Sequence, residues 1–292
     1  MNHTAHRRLH RLAACCQSLR GSHCQGADFF KGRSLSTGSK SSTDDITISK
    51  TTQTKDPLSP PPTPAASFPF SPNEWRRFPL VASADHTHDT KTMDVALPSP
   101  STHPNLPVAS CVLLALDSSS PTSPSPLSRP YTPISSPTAP GRLSFLIKAY
   151  RDGALSPRLH ALQAGKDGVW IKGPFLKFKY SKNQFKSILM LAAGTGITPM
   201  VQCLHAIFSD PEDHTSVTLL VANRSPEDVL LLDWLDSLLA QHPGRLEVRH
   251  YLERLPSPPP SRHGPSWHAG FIDEGALRAA GAGREGGREG GR

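Results

Sequence analysis

Between residues 77 and 172 the chain is written in short apolar or alternating stretches. Residues 77–81, 91–97, 108–116, 143–150 and 169–172 each carry enough Val, Ile, Leu and Phe for a strand, and turn residues separate them. Successive side chains of a strand face opposite sides, so several such runs in series predict a small antiparallel barrel or sandwich. From residue 185 the period changes. Residues 187–192 read as a strand, 199–208 as a helix, 217–222 as a strand, 228–239 as a helix and 246–252 as a strand. Strands alternating with helices give right-handed βαβ units and a parallel sheet. A short apolar piece follows at 267–277. Residues 281–292 form a Gly-Arg-Glu-Gly repeat that cannot bury a core. The expected fold is therefore α+β with two domains, a β-barrel and then a Rossmann-like α/β sheet.

Composition changes this picture mainly at the N-terminus. Thirty prolines in 292 residues is roughly twice the usual ~5%. They gather at 57–72, 98–107, 121–140 and 256–265, which marks linkers and long loops. The longest apolar stretch, 188–201, is broken by Gly194, Gly196 and Pro199, so no spanning helix is expected and only peripheral contact with a membrane is left open. Of the net charge of +8, residues 1–70 carry nine basic and four acidic side chains, a net of +5. The remaining 23 basic and 20 acidic side chains make an ordinary solvated surface, which argues against a nucleic-acid partner. The first forty residues contain seven Lys or Arg and one acid, Asp28, with frequent Ser and Thr. That is the composition of an organellar transit peptide, mitochondrial ahead of plastid, the plain alternative being a disordered basic tail. Cys15, Cys16, Cys24, Cys111 and Cys203 show neither metal-ligand spacing nor a paired framework, which suits a reducing compartment. The expected organisation is a transit peptide over 1–40 and a linker over 41–72. A barrel over 73–182, an α/β domain over 183–278 and a tail over 279–292 follow.

Three segments carry candidate chemistry. In Arg129-Pro130-Tyr131-Thr132-Pro133 the guanidinium can fork onto a diphosphate, and Tyr131, two residues on along a strand, can lie along a flavin ring. The plain alternative is a proline-rich turn entering a strand. In Ile147-Lys148-Ala149-Tyr150 and Gly153-Ala154-Leu155-Ser156, a Gly and a Ser precede a helix-like 159–162 and leave free N–H groups for an anion, with Lys148 adding charge. A strand ending in a loop explains these residues as well. In 189–200 a strand runs through Gly194-Thr195-Gly196 into a helix, with Thr198 and Pro199 in its first turn. Glycines let a backbone approach a ligand closely, and the helix N-terminus attracts a pyrophosphate; a purely structural glycine turn is the plain alternative. Pro199 stands where the common dinucleotide fingerprint has its third glycine. Beyond the second α/β strand, Asp228 could accept a ribose hydroxyl and repel a 2′-phosphate, or could simply supply an acid to the next helix start.

Together these motifs resemble the ferredoxin-reductase superfamily, and the cytochrome b5 reductase branch in particular. The resemblance runs from about residue 74 to 277, strongest in RPYTPISS, IKAY with GALS, KGPFLKFKY and the turn at 194–200. It implies an antiparallel Greek-key barrel that holds FAD, followed by a Rossmann-like NAD domain. It also implies electron transfer from NADH through FAD to a haem protein such as cytochrome b5, with no side-chain acid, base or nucleophile. Arg129, Pro130, Tyr131, Thr132, Leu146, Lys148, Tyr150, Gly153, Ala154, Leu155 and Ser156 would form the FAD site. Gly194, Thr195, Gly196, Thr198, Pro199 and Asp228 would seat the nucleotide, Asp228 favouring NADH. The sequence departs from the family pattern at Ala193, commonly another glycine, and at Ala154-Leu155 in place of Lys-Met. Ala109-Ser110-Cys111 replaces Gly-Gln-His. No Cys-Gly-Pro-Pro segment follows Gly270-Phe271-Ile272-Asp273. The α/β sheet is thus expected to be incomplete at its C-terminal end, the alternative being a weakly active or non-catalytic chain.

Overall fold

A computed structural model describes residues 69–116, 127–260 and 265–282. The first half is a six-stranded antiparallel sheet of β1 (Arg76–Thr87), β2 (Thr90–Ala96), β3 (Ser110–Leu116), β4 (Ser128–Tyr131), β5 (Arg142–Lys148) and β6 (Gly168–Leu176). Its order is β4-β3-β6-β1-β2-β5. The chain leaving β4 returns to the opposite edge: Ile134 N–H donates to the Ser144 carbonyl at 2.9 Å, and Ser144 N–H donates to Ser135 Oγ at 3.2 Å. These bonds close the sheet into a barrel. Alternate residues fill it, among them Phe78, Leu80, Met93, Val95, Leu114, Phe145, Ile147 and Ile171. A short helix, α1 (Ser156–His160), caps the barrel with Leu159.

The second half is a parallel sheet of β7 (Ser187–Ala193), β8 (Ser216–Asn223), β9 (Leu246–Leu252) and β10 (Ser266–Ala269), side by side in chain order. Helices α2 (Ile197–Ser209) and α3 (Leu232–Gln241) cover one face, burying Ile197, Val201, Leu204, Ile207 and Leu235 against Met190, Leu219 and Val248. Helix α4 (Glu274–Ala282) covers the other, setting Ala276 and Ala280 against Leu220 and Tyr251. A sheet buried on both faces explains why β8 reads as a continuous apolar run. β5 serves both halves: Phe145 and Ile147 point into the barrel, while Leu146 joins the α/β core.

Several expected boundaries move. β1 runs on to Thr87, and the piece at 267–277 divides into β10 and the start of α4. The element expected at 159–162 is α1, three residues earlier. α3 begins at Leu232 rather than 228, because Leu231 is held left-handed at φ 58° and a separate 3-10 turn, Pro226–Asp228, precedes it. An L-residue in that conformation ends the helix backwards along the chain. Pro199 is the third residue of α2, still within the first turn whose N–H groups lack intrahelical acceptors. The expected transit peptide and the linker to residue 68 lie outside the described residues, as does the tail beyond Ala282.

Candidate functional site

The glycine turn stands at the C-terminal end of the parallel sheet, where open α/β sheets bind their ligands. β7 ends at Ala193, Gly194 takes φ +49°, and a 3-10 turn over Gly194–Gly196 leads into α2. No atom lies within 4 Å of the place where a Cβ on Gly194 or Gly196 would stand. The left-handed φ favours glycine at 194, and the open space beside both residues admits a phosphate against the backbone. No side chain caps α2, and its first turn holds no acid. The Thr198 hydroxyl donates to the Thr195 carbonyl at 3.1 Å, which fixes the turn.

Three of the sequence motifs converge here. Tyr150 Oη lies 3.5 Å from Thr195 Oγ1, across the boundary between barrel and α/β domain. Tyr131 packs against the barrel core. Burial pushes its hydroxyl up to about 12, with the Arg129 charge pulling down and Tyr150 adding to the rise. The exposed Arg129 guanidinium donates to the Ser128 carbonyl at 2.8 Å. Pro130 and Ala154 are exposed and Thr132 is half-buried. The turn into α1 is tight: a Cβ on Gly153 would stand 2.7 Å from Ser156 Oγ, and that oxygen accepts from Tyr150 N–H at 3.2 Å.

Other predicted residues take different places. Leu155 belongs to the barrel core and Leu146 to the α/β core, so their side chains pack the domains. Lys148 forms an ion pair with Asp89 at 2.6 Å and stands 4.0 Å from Asp228. Asp228 accepts from Ser225 Oγ at 2.9 Å, and its carboxylate faces the barrel from a 3-10 turn rather than from a helix start. Burial works against the charge on Asp89, but hydrogen bonds from Lys148 and Thr90 hold its carboxyl below the usual range. His88, Asp89 and Asp228 offer ligand atoms within 4.8 Å of one another. The Lys148 ammonium already supplies the positive charge there. Sequence reasoning missed the turn at His88 and Asp89, and it missed Gln202. The latter is a polar residue buried within the apolar α2, whose only sequence signal is that interruption.

Residues 77–180 match the oxidoreductase FAD-binding domain family, and residues 190–281 match the oxidoreductase NAD-binding domain family. An NADH-cytochrome b5 reductase 2 from Lodderomyces elongisporus is 40% identical over 181 residues, 62% of this chain and 59% of that protein. The chain thus carries an oxidoreductase FAD-binding domain followed by an oxidoreductase NAD-binding domain. Another relative, an NADH-cytochrome b5 reductase-like protein of Arabidopsis thaliana, is 44% identical over 178 residues, 60% of this chain and 53% of its own length. The chain thus spans a little over half the length of these curated relatives. Among solved structures, the cytochrome b5 reductase domain of Ulva prolifera nitrate reductase superposes with a TM-score of 0.63 at 27% identity, covering 72% of this chain and 83% of that one. The CS-b5R domains of human Ncb5or give a TM-score of 0.57 at 30% identity, covering 70% and 57%. FAD and a nicotinamide dinucleotide are the cofactors of these two domains, and the residues present fit them. The exposed Arg129 suits a diphosphate, Tyr131 offers a half-buried ring face, and the open glycine turn offers a phosphate cradle.

Proposed function

We propose that this chain passes electrons from NADH through FAD to a one-electron haem acceptor such as cytochrome b5. The observation that carries the reading is the approach of Tyr150 to Thr195, which brings the flavin motifs and the nucleotide turn to one place. Bound FAD supplies the conversion between a two-electron donor and a one-electron acceptor. The protein's own residues bind and orient. Arg129 neutralises the flavin diphosphate, Tyr131 flanks the ring, and Gly194 and Gly196 leave room for the nucleotide pyrophosphate at the start of α2. The alternative, a chain that binds flavin poorly, is not favoured by the two matched domains. Purified protein reconstituted with FAD should be yellow, lose its visible flavin band on anaerobic addition of NADH, and then reduce cytochrome b5. A colourless protein overturns the flavin assignment. Bleaching without cytochrome reduction overturns the acceptor.

We further propose mitochondrial import, on the Arg- and Ser-rich composition of the first forty residues. A mature N-terminus between residues 36 and 72 is expected, and an intact Met1 on protein from cells, or a cytosolic fusion signal, overturns it. Among the described residues no helix is long and apolar enough to cross a membrane, and peripheral association of the reductase with one is compatible with that.

A further inference from the structure

Helix α2 does more than open the nucleotide turn. Its apolar stripe (Ile197, Val201, Leu204, Ile207) packs on the sheet, while Thr198, Gln202 and His205, spaced four and three residues apart, form a second, polar stripe. Gln202 is only 8% exposed, and both ends of its amide cross into the barrel. Its Oε1 accepts from Ser110 N–H at 3.0 Å, at the start of β3, and its Nε2 donates to the Pro133 carbonyl at 3.2 Å. These partners fix the orientation of the amide, since the first needs an acceptor and the second a donor. Pro133 is the residue after Thr132 in the Arg129–Pro133 motif. The next residue, Ile134, is held by three further contacts. Its N–H goes to Ser144, its backbone hydrogen-bonds with His205, and its side chain packs against the α/β core.

We infer that Gln202 is a positioning residue for the flavin. From the nucleotide-binding helix it fixes the strap Tyr131-Thr132-Pro133, so that the flavin site is completed by the second domain rather than by the barrel alone. The inference rests on the reading of Arg129–Thr132 as the flavin segment. Removing the amide leaves a buried N–H at Ser110 and a buried carbonyl at Pro133 without their partner, and the strap is then free to relax away from the ring.

The test is made on the full chain with Gln202→Glu and Gln202→Met, using the FAD dissociation constant from flavin fluorescence quenching, the visible circular dichroism of bound flavin, and the melting temperature of the apoprotein. A Glu keeps the acceptor for Ser110. Ionised, it sets a negative oxygen against the Pro133 carbonyl; protonated, it donates there again, and burial raises its pKa into a usable range. Gln202→Glu is therefore expected to bind FAD almost as the wild type does at pH 5.5 and about tenfold or more weaker at pH 8, with a changed flavin dichroism at pH 8 only. Gln202→Met, of similar volume, should be weakened across the range. The wild-type curve removes the titration of His205 and of other groups. Wild-type affinity in both variants overturns the inference. So does a lowered melting temperature with no pH-dependent change in FAD affinity for Gln202→Glu, the mark of a merely structural contact. A wild-type protein that holds no FAD, or an Arg129→Ala variant that keeps it, instead overturns the flavin reading beneath.

Discussion

Arg129 sits on the edge strand β4 with its guanidinium in solvent, beside the half-buried Tyr131. Its fork can turn onto a diphosphate at the cost of one bond to a neighbouring carbonyl. Arg129→Ala should weaken FAD binding about tenfold or more, the size of one lost charge-assisted hydrogen bond of roughly 1.5–3 kcal/mol. Flavin content after purification checks this, and full occupancy refutes it. Asp228 is a second residue whose role can be separated. Its carboxylate lies beyond the end of β8, between Ser225 and Lys148, where it would meet a ribose hydroxyl and repel a 2′-phosphate. Asp228→Thr is expected to narrow the preference for NADH over NADPH, measured as kcat/KM for both donors with ferricyanide as acceptor. An unchanged ratio would leave Asp228 as a partner of Ser225 and Lys148 alone.

At the scale of elements, strands were legible wherever one face is buried and the other wet, as in β2, or wherever both are buried, as in β8. The start of α3 was not. Residues 228–235 are apolar at helical spacing, and nothing in that pattern reports that Leu231 is left-handed, its N–H given to His86 Nε2 at 3.0 Å from the β1–β2 hairpin. The flavin and nucleotide motifs could be read because glycine and proline leave a local signature. Asp89 and His88 leave none, and Gln202 only a polar break in an apolar helix, since their partners come from 59 to 140 residues away along the chain: Asp89 meets Lys148, His88 meets Asp228, and Gln202 meets Ser110 and Pro133. β9 carries a further such residue. His250 is fully buried and stacks on Trp267 at 4.5 Å. Burial brings its pKa down to about 4, with Asp236 opposing. The unfolded chain takes up a proton below about 6.5, whereas the folded one resists until about 4. The stability from a neutral His250 is therefore complete above about 6.5 and is lost as pH falls through the window to about 4. By linkage it amounts to about 3 kcal/mol. Melting temperature should drop between pH 7.5 and 5, and His250→Phe should flatten that slope. Equal slopes would show that other groups set the acid sensitivity.

At the scale of the whole molecule, residues 177–186 join barrel to α/β domain, and one buried carboxylate anchors them. Asp213 accepts from Tyr180 Oη at 2.5 Å, from Thr215 N–H at 3.0 Å and from Asn183 N–H at 3.4 Å. Burial disfavours its charge, yet these bonds hold its carboxyl below the usual range. Its contribution is present above the ordinary carboxylate pKa and is lost as pH falls from there through the lowered folded-state value. Asp213→Ala should cost about 2–4 kcal/mol, because three donors lose their acceptor together. It should also open 177–186 to proteases before either domain unfolds. A variant cut no faster there than the wild type would assign the joint's stiffness elsewhere.

The position of Leu146 bears on how such a chain can be rebuilt. One strand lends Leu143, Phe145 and Ile147 to its own barrel and Leu146, between the last two, to the neighbouring core, so the seam between the domains is not a seam in packing. Cassettes exchanged between related reductases at the 177–186 joint would carry a foreign α/β core onto this leucine. Grafts that also transfer residue 146 should give soluble chimeras more often than grafts that respect the joint alone.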